Sequence, residues 1–221
     1  MHSRAKRICL NSISAILTVL IMTASFFAIY LFLFNMVYIG TPVRGMSMYP
    51  TLNANVESSD TAGDYVYINP YREMNVNDIV VADVDWNNES RYVIKRLVGT
   101  PGDQIQIELN DERSEFSLKV NGETIYTLEY SREFYNGSYM KYVSFINSDS
   151  SNVGLTPDGE RCIELHDDEY FLMGDNWDVS LDCLSNGPVA SDDIVGVVDV
   201  VIPYKSNKFT TLVSELWGLL F

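Results

Sequence analysis

The sequence predicts a mostly β domain made of several antiparallel sheets and preceded by one amino-terminal transmembrane helix. Two observations support this fold class. A long apolar stretch, uncharged from Ile8 onward, occupies the chain before Gly40. The remainder consists of short runs rich in β-branched and aromatic residues, bounded by Gly, Asn, Pro or Asp, and it holds no amphipathic helix of convincing length.

Residues 8–39 are predicted to form a transmembrane anchor helix. The stretch from Ile8 to Phe34 contains no charged residue, and as a helix it would span about 40 Å, enough to cross a bilayer. It is much longer than the apolar region of a cleaved signal peptide, which has about 7–15 residues. Because no clear small-x-small cleavage site follows it, we expect the anchor to be retained.

The basic residues at the amino terminus predict the orientation of this anchor. Arg4, Lys6 and Arg7 precede the apolar stretch, and no basic residue directly follows it. Since positive residues favour the cytoplasmic side, residues 1–7 are predicted to be a cytoplasmic basic tail. Residues 40–221 would then form the extracytoplasmic domain of a single-pass protein of the cell membrane.

The remaining chain is predicted to form strands joined by turns. Residues 104–109 alternate strictly between polar and apolar side chains, as in a half-buried strand. The Asn121-Gly122 pair predicts a tight hairpin turn. The predicted β-rich runs are residues 64–68, 78–84, 104–109, 118–126 and 194–202.

Two further segments lie outside these runs. Residues 147–159 are rich in Ser, Asp and Asn, which predicts a polar surface loop. The carboxyl-terminal tail, residues 209–221, is apolar but too short to span a membrane. It would either pack on the domain or lie at the membrane interface.

Charge limits the partners of the domain. The 221 residues carry a formal net charge of −15. Three of the 15 basic residues precede Arg44 and all 30 acidic residues follow it, so 12 basic and 30 acidic residues remain, a formal charge of −18. Such a domain should be soluble and should repel nucleic acid and anionic lipid. Nucleic acid is therefore not an expected partner.

The cysteines and histidines predict no metal site. No Cys-x-x-Cys motif occurs, and the two histidines, His2 and His166, are isolated. Cys162 and Cys183 could form a disulfide if the domain faces an oxidising compartment. We therefore expect no metal, and the cysteine pairing stays open.

Ser47 is a candidate nucleophile in an unusually apolar loop. A serine near Gly and Pro is commonly just a turn residue, but Met46, Met48 and Tyr49 surround this one. Ser47 follows Ile39 by only a few residues, so its loop should lie near the membrane surface, and these apolar side chains could enter that surface. A catalytic centre there would meet membrane-embedded substrates.

Lys95 is the candidate base for Ser47. The period of two in a strand places Val93, Lys95 and Leu97 on one face. A lysine on a strand is usually a solvated charge, but apolar neighbours favour burial, and burial lowers a lysine pKa by disfavouring the charged form. A neutral amine of this kind can accept the proton of a serine hydroxyl.

In combination these segments resemble type I signal peptidases, the bacterial Ser-Lys enzymes that release exported proteins from their signal peptides. The similarity runs in family order from the anchor to about Val201. Residues 47–52 resemble the nucleophile box, and residues 92–103 resemble the lysine box. Between these two boxes, residues 63–66 and 78–81 resemble the strand motifs of the family. Residues 174–176 and 180–182 resemble its last box.

The resemblance implies the chemistry of the reaction. Ser47 would attack the scissile carbonyl and form an acyl-enzyme, and its backbone N–H would help to form the oxyanion hole. Lys95 would accept the serine proton and later activate water. The family uses no metal or organic cofactor and has a β-rich, multi-sheet catalytic domain.

Three more residues receive supporting roles from the resemblance. Ser180 would hydrogen-bond to the Lys95 amine and orient it. Asp182 would support that arrangement. Asp175 would pair with Arg96 and fix the lysine strand.

The resemblance also implies partners and a location. Substrates would be exported preproteins with small residues at −1 and −3, bound in an extended conformation beside the protein's own strand edges. The lipid bilayer would hold the anchor, and the secretion translocon is a candidate partner. The implied source is bacterial, and Gly45, two residues before the nucleophile, is typical of many Gram-positive members.

The sequence departs from the family pattern in the last box as well as at Gly45. Trp177 stands where Arg is usual, and Asp182 is followed by Cys183 and Leu184 in place of Ser and Arg. Losing the second Arg removes the expected partner of Asp182.

These departures keep two related alternatives open. One is a specialised peptidase with few substrates, and the other is a catalytically inactive signal-peptidase-like factor for surface-protein assembly. A self-cleaving Ser-Lys repressor is disfavoured by the apolar anchor and the acidic charge.

Overall fold

The computed structural model describes residues 2–56, 61–86, 89–110, 113–207 and 210–214. The chain divides into two compact units, Met1–Ile39 and Gly40–Phe221. Of the tail at residues 209–221, only residues 210–214 are described, and these are helical. The other tail residues lie outside the described part of the chain.

Helix α1, His2–Val37, makes up most of the first unit. Its segment Ser12–Val37 is long and apolar enough to cross a membrane. The helix begins at His2, within the predicted basic tail. It also ends two residues before the predicted anchor does, because Gly40 and Pro42 disfavour helix and the chain becomes extended at Ile39.

The second unit contains two β-sheets, and every described ladder in them is antiparallel. This confirms the predicted mostly β class. The seven-stranded sheet has the order β1-β2-β12-β3-β4-β10-β11, and the five-stranded sheet has the order β7-β6-β5-β9-β8. The strands are β1 Ile39–Pro42, β2 Tyr65–Asn69, β3 Ile79–Trp86, β4 Glu89–Gly99, β5 Gln104–Asn110, β6 Glu115–Val120, β7 Glu123–Glu129, β8 Val153–Leu155, β9 Arg161–Glu164, β10 Glu169–Met173, β11 Val189–Ala190 and β12 Ile194–Ile202.

The turn between β6 and β7 is the predicted Asn-Gly hairpin. Asn121 and Gly122 both have positive φ, 53° and 81°, as a two-residue turn that matches the strand twist requires. Val120 and Glu123 pair directly on either side of it.

The domain contains a helical segment that the sequence analysis did not predict. Residues 132–146 are continuously helical, as α2 Arg132–Phe134, a π-helical turn Tyr135–Tyr139 and α3 Met140–Ile146. Phe134, Ser138 and Tyr142 are its buried residues. Their spacing of four follows the wider π turn and not the period of 3.6, and Asn136-Gly137 has the composition of a turn, so the pattern was obscured.

The predicted surface loop at residues 147–159 also contains a strand. Its only apolar run, Val153–Leu155, forms β8 and pairs with β9 at Gly154 and Cys162. Two short helices complete the domain, α4 Cys183–Asn186 and a 3₁₀ turn at Ser191–Asp193.

Two hydrophobic cores hold the domain together. The larger lies between the sheets, where β3, β4 and β10 of one sheet and β5, β6 and β9 of the other contribute buried side chains. The smaller core lies on the other face of the seven-stranded sheet and consists of Val43, Met48, Leu52, Val66, Ile68 and Val81. Because three of its six residues come from the chain around Ser47, burial of this core fixes the position of that loop.

Candidate active site

Ser47 occupies a tight loop that is anchored by the smaller core. The Tyr49 N–H donates to the Met46 carbonyl at 3.1 Å, and the Leu52 N–H donates to the Met48 carbonyl at 2.9 Å. Met48 is only 2% exposed. The expectation that its side chain could enter the membrane surface was therefore wrong, because this turn points Met48 and Leu52, four residues apart, into the core.

The buried side chains of Asn53 and Asp64 also hold the loop that carries Ser47. The Asn53 N–H donates to Asp64 Oδ2 at 2.7 Å, and the Asp64 N–H donates to Asn53 Oδ1 at 2.8 Å. Asn53 Nδ2 also donates to the Gly45 carbonyl, two residues before Ser47, at 2.8 Å. A Cβ on Gly63 would lie 2.1 Å from Asn53 Oδ1. The sequence analysis missed this role of Asn53, and its only signal was the nearby Gly63-Asp64 motif.

Lys95 lies in β4, opposite Val80 of β3, and is 3% exposed. Burial lowers the pKa of its amine to about 8, with the Asp182 charge as the main opposing influence. Burial also raises the pKa of the neighbouring Cys183 thiol far above its usual range, so that thiol is neutral and adds no charge beside the amine. The neutral form of the Lys95 amine is therefore accessible near neutral pH, as the predicted role of base requires.

Ser47 and Lys95 line the same cleft, which has a volume of about 750 Å³. On one edge of β4, residues 91–95 pair with β3. The ladder with β10 on the other edge begins only at Arg96. Within the described residues, this leaves one backbone edge of residues 91–95 unpaired beside the cleft. The apolar walls of the cleft include Val43, Val66, Val81, Ile94 and Leu181.

The loop after β10 joins the two halves of the site. The Asn176 N–H donates to the Ser47 carbonyl at 2.9 Å, and Asn176 Nδ2 donates to the Met46 carbonyl at 3.1 Å. A Cβ on Gly174 would lie 2.5 Å from the Ser47 carbonyl oxygen and 2.2 Å from Ser180 Oγ. Gly174 therefore permits the close approach of the nucleophile loop to Ser180.

Asp175 forms the expected ion pair with Arg96. Arg96 Nε donates to Asp175 Oδ1 at 2.8 Å, and its terminal nitrogen donates to Oδ2 at 2.6 Å. A second terminal nitrogen donates to the Asn77 carbonyl at 2.8 Å. This bidentate ion pair links the carboxyl-terminal part of β4, the strand that carries Lys95, to the loop after β10, which in turn binds the Ser47 loop.

Ser180 and Asp182 are both buried, and the Asp182 charge acts on the Lys95 amine. Ser180 Oγ makes no hydrogen bond of acceptable geometry within the described residues, although it lies close enough to Asp182 to influence its carboxyl. Asp182 Oδ2 accepts from the Gly174 N–H at 3.1 Å, and Oδ1 accepts from the Leu184 N–H at 3.2 Å at the start of α4. Burial raises the pKa of Asp182, and these contacts and the Lys95 charge oppose the rise.

The two positions that lack the usual Arg are apolar core positions here. Trp177 is buried, with its ring 5.2 Å from Phe134 and 5.8 Å from Tyr126 between ring centroids. Leu184 is also buried in the larger core. In place of an Arg, the backbone amides of Gly174 and Leu184 donate to the Asp182 carboxylate.

The backbone N–H of Ser47 faces no acceptor among the described residues. Cys162 and Cys183 are buried and free, so the disulfide left open above is not formed. In the described part of the chain, no group of three or more His, Cys, Asp or Glu residues could hold a metal ion.

Comparison with known proteins adds independent information. Residues 11–203 match the family described as signal peptidase, peptidase S26. Signal peptidase I P of Bacillus subtilis subsp. natto is 33% identical over 202 residues, which cover 91% of this chain and 94% of that protein. Signal peptidase I U of Bacillus subtilis (strain 168) is 31% identical over 199 residues, covering 89% and 93%.

A solved signal peptidase I from Enterococcus faecalis V583 aligns at 20% identity with 57% of this chain and 97% of that chain, with a TM-score of 0.35.

Proposed function

This chain belongs to the signal peptidase family, peptidase S26, and we propose that it cuts signal peptides from exported preproteins with a Ser47–Lys95 pair. The family consists of serine endopeptidases, which are hydrolases. The observation that supports the pair most strongly is its placement: Ser47 and a buried Lys95 line one cleft. The resemblance noted in the sequence is consistent with the same pair.

In the proposed reaction the neutral Lys95 amine removes the proton from Ser47 Oγ. The resulting alkoxide attacks the scissile carbonyl, and the protonated amine then donates a proton to the leaving amine of the mature protein. The acyl-enzyme is hydrolysed when the amine, neutral again, activates a water molecule. Burial of Lys95 supports this role because it keeps the neutral form accessible.

Ser180 is the proposed orienting residue for Lys95. Its hydroxyl is buried and makes no hydrogen bond of acceptable geometry among the described residues, so it has hydrogen-bonding capacity to offer the amine. Asp182 would hold the Gly174 end of the loop through the Gly174 N–H, and Asp175 would hold β4 through Arg96. These two carboxylates are proposed as positioning residues.

The oxyanion would be stabilised by the Ser47 backbone N–H. This amide has no acceptor among the described residues, and the loop that carries it is fixed by Asn53 and Asn176. Gly45 brings no side-chain donor, so any second hydrogen bond to the oxyanion must come from backbone.

The substrate would bind in the cleft as an added strand. The unpaired edge of β4 at residues 91–95 offers backbone groups to an extended peptide. The apolar walls formed by Val66, Val81 and Ile94 would receive small side chains at −1 and −3. Helix α1 would anchor the protein in a bacterial cell membrane, with the amino terminus cytoplasmic and the catalytic domain outside, as in a Gram-positive cell.

The deciding experiment is cleavage of a secretory precursor with an Ala-x-Ala site by the full-length protein in detergent. We expect wild type to cut at the Ala-x-Ala junction and Ser47→Ala and Lys95→Ala to be inactive. Ser144→Ala and Lys141→Ala change the same residue types at exposed positions of α3, and both should retain activity.

Two results would count against the proposal. Cleavage by the Ser47→Ala protein would exclude Ser47 as the nucleophile. If folded wild type cut no precursor, the specialised or inactive factor described above would be favoured over a general signal peptidase.

A further inference from the structure

The charge of the cleft is opposite to that of the domain. The chain after the anchor contains 12 basic and 30 acidic residues. Among the residues that the structure describes, however, the lining of the cleft includes Arg44, Arg91 and Lys95 and no Asp or Glu. The net charge of the domain therefore repels an acidic peptide, whereas Arg44 and Arg91 place two permanent positive charges in the lining of the cleft.

Each of the two arginines lies a few residues before one member of the proposed catalytic pair. Arg44 lies three residues before Ser47, and Arg91 lies four residues before Lys95. Along β4, four residues correspond to about 13 Å. An extended peptide beside β4, with its scissile bond at Ser47 and Lys95, would reach Arg91 with its fourth or fifth residue from that bond.

The same geometry indicates which side of the scissile bond lies beside Arg91. The apolar walls proposed for the −1 and −3 side chains lie between the catalytic pair and Arg91, at Val81 and Ile94. The peptide residues beyond them, at −4 and −5, are therefore the ones beside Arg91.

Arg91 can exchange its present partner for a substrate carboxylate. It forms an ion pair with Glu89, whose side chain is 73% exposed, whereas the Arg91 side chain is 36% exposed. An exposed pair of this kind contributes little stability. A substrate carboxylate held in the cleft would be better shielded from water than the Glu89 carboxylate. The Arg91 guanidinium can bind such a carboxylate through two parallel hydrogen bonds.

We propose that Arg91, together with Arg44, forms a subsite that selects substrates with an acidic residue at −4 or −5. This inference rests on the proposed peptidase function. It concerns a preference within that reaction, since the small residues at −1 and −3 would still be required.

The test uses matched Ala-x-Ala peptides with Glu, Gln or Lys at −4, and a second set with the same changes at −5. The full-length protein in neutral detergent is assayed for kcat/KM on each peptide. We expect Glu to exceed Lys by about three- to tenfold at one of these positions, and high salt should reduce the ratio. The net charge of the domain alone would give the opposite order.

Variants assign the preference to the arginines. Arg91→Gln and Arg44→Gln should each move the Glu-to-Lys ratio toward one, and Arg91→Lys should keep most of it because the charge remains. Arg132→Gln removes the same charge from an exposed position outside the cleft lining and should leave the ratio unchanged.

Three results would overturn the inference. Equal kcat/KM for all three peptides at both positions would remove the preference and leave the peptidase function standing. A ratio that survives in the Arg44→Gln, Arg91→Gln double variant would place the preference elsewhere. If folded wild type cleaved none of the peptides, both the proposed function and this inference would fail.

Discussion

At the scale of single residues, the protonation of Lys95 controls the proposed chemistry. A lysine in water is almost fully protonated at neutral pH and cannot act as a base. Here burial lowers the pKa to about 8, so a usable fraction of the amine is neutral. The same burial separates the charged amine from water, which is the energetic cost of building such a base.

The rate should therefore rise with pH. Only the neutral amine accepts the Ser47 proton, and lowering the pH below about 8 converts it to the inactive form. We expect kcat/KM to increase almost tenfold per pH unit well below pH 8 and to level off above it. A rate profile measured from pH 6 to pH 9 tests this, and a flat profile would exclude Lys95 as the base.

The Ser180→Ala variant distinguishes a role of Ser180 in orienting Lys95 from a role in stabilising the fold. The Ser180 hydroxyl is buried and makes no hydrogen bond of acceptable geometry among the described residues, so its removal should change the melting temperature little. We expect kcat/KM to fall by about 10- to 100-fold, in the range of a lost catalytic hydrogen bond. The checks are thermal melting and a pH–rate profile, since loss of an orienting contact should also shift the pH midpoint.

A merely structural Ser180 would give the opposite pattern. The melting temperature of the alanine variant would then fall, while the rate and its pH dependence would stay close to wild type. Ser144→Ala, at an exposed position, provides the baseline for both measurements.

Some site residues could be predicted from the sequence, and others could not. Ser47 and Lys95 stand in local motifs whose chemistry is readable from their neighbours. The roles of Asn53 and Asn176 depend on hydrogen bonds to residues far along the chain, since Asn176 lies 130 residues from its partner Met46. No local pattern encodes such a contact.

At the scale of elements, separate parts of the fold hold the loop that carries Ser47 in place. Asn53 binds it to Asp64 at the start of β2, and Asn176 binds it to the loop after β10. Asp64 Oδ1 also accepts from the Tyr204 N–H after β12, at 2.8 Å. The loop is thereby tied to the end of the β2–β12 pair at which Tyr65 and Ile202 lie opposite each other.

Two substitutions at Asn53 should show how much this clamp matters. Asn53 has a positive φ of 62°, a conformation that glycine tolerates and alanine does not. Both Asn53→Gly and Asn53→Ala lose the side-chain hydrogen bonds, at about 1 kcal/mol each. Asn53→Ala should be less stable than Asn53→Gly by about another 1 kcal/mol, as measured by urea unfolding.

The clamp also predicts an effect on activity. Both Asn53 variants should lower kcat, because the Ser47 loop loses its contact at Gly45. Equal stability of the two variants would contradict the role of the left-handed backbone. Unchanged kcat in both would show that the loop is fixed without Asn53.

The elements themselves were predicted unevenly, for physical reasons. Strands with strict alternation and the Asn-Gly hairpin carry local signals, and the structure contains them. The helical segment at 132–146 was missed because its inward spacing follows a π turn. Strand β8 was missed because three residues in a polar stretch give too short a pattern, and pairing with β9 stabilises them.

At the scale of the whole molecule, the catalytic domain contains its own cores apart from α1. The larger core and the smaller core are built from residues of the second unit. A fragment of residues 38–221 should therefore fold without the first unit. We expect circular dichroism to show a β-rich spectrum and a single cooperative thermal transition.

The full-length protein in detergent is the reference for that fragment. A fragment with no cooperative transition would show that the domain depends on α1 for folding. A fragment that melts cooperatively but no longer cleaves a precursor would assign to α1 a role in presenting substrate.

The depth of Lys95 in the fold has a consequence for when activity arises. In an unfolded chain its amine has the ordinary pKa of 10.5, so at neutral pH it is charged and cannot assist Ser47. The base comes into existence only when β3 and β4 pair and the core closes around it. In the proposed mechanism, folding is thus also the activation step, because it creates the base that Ser47 requires.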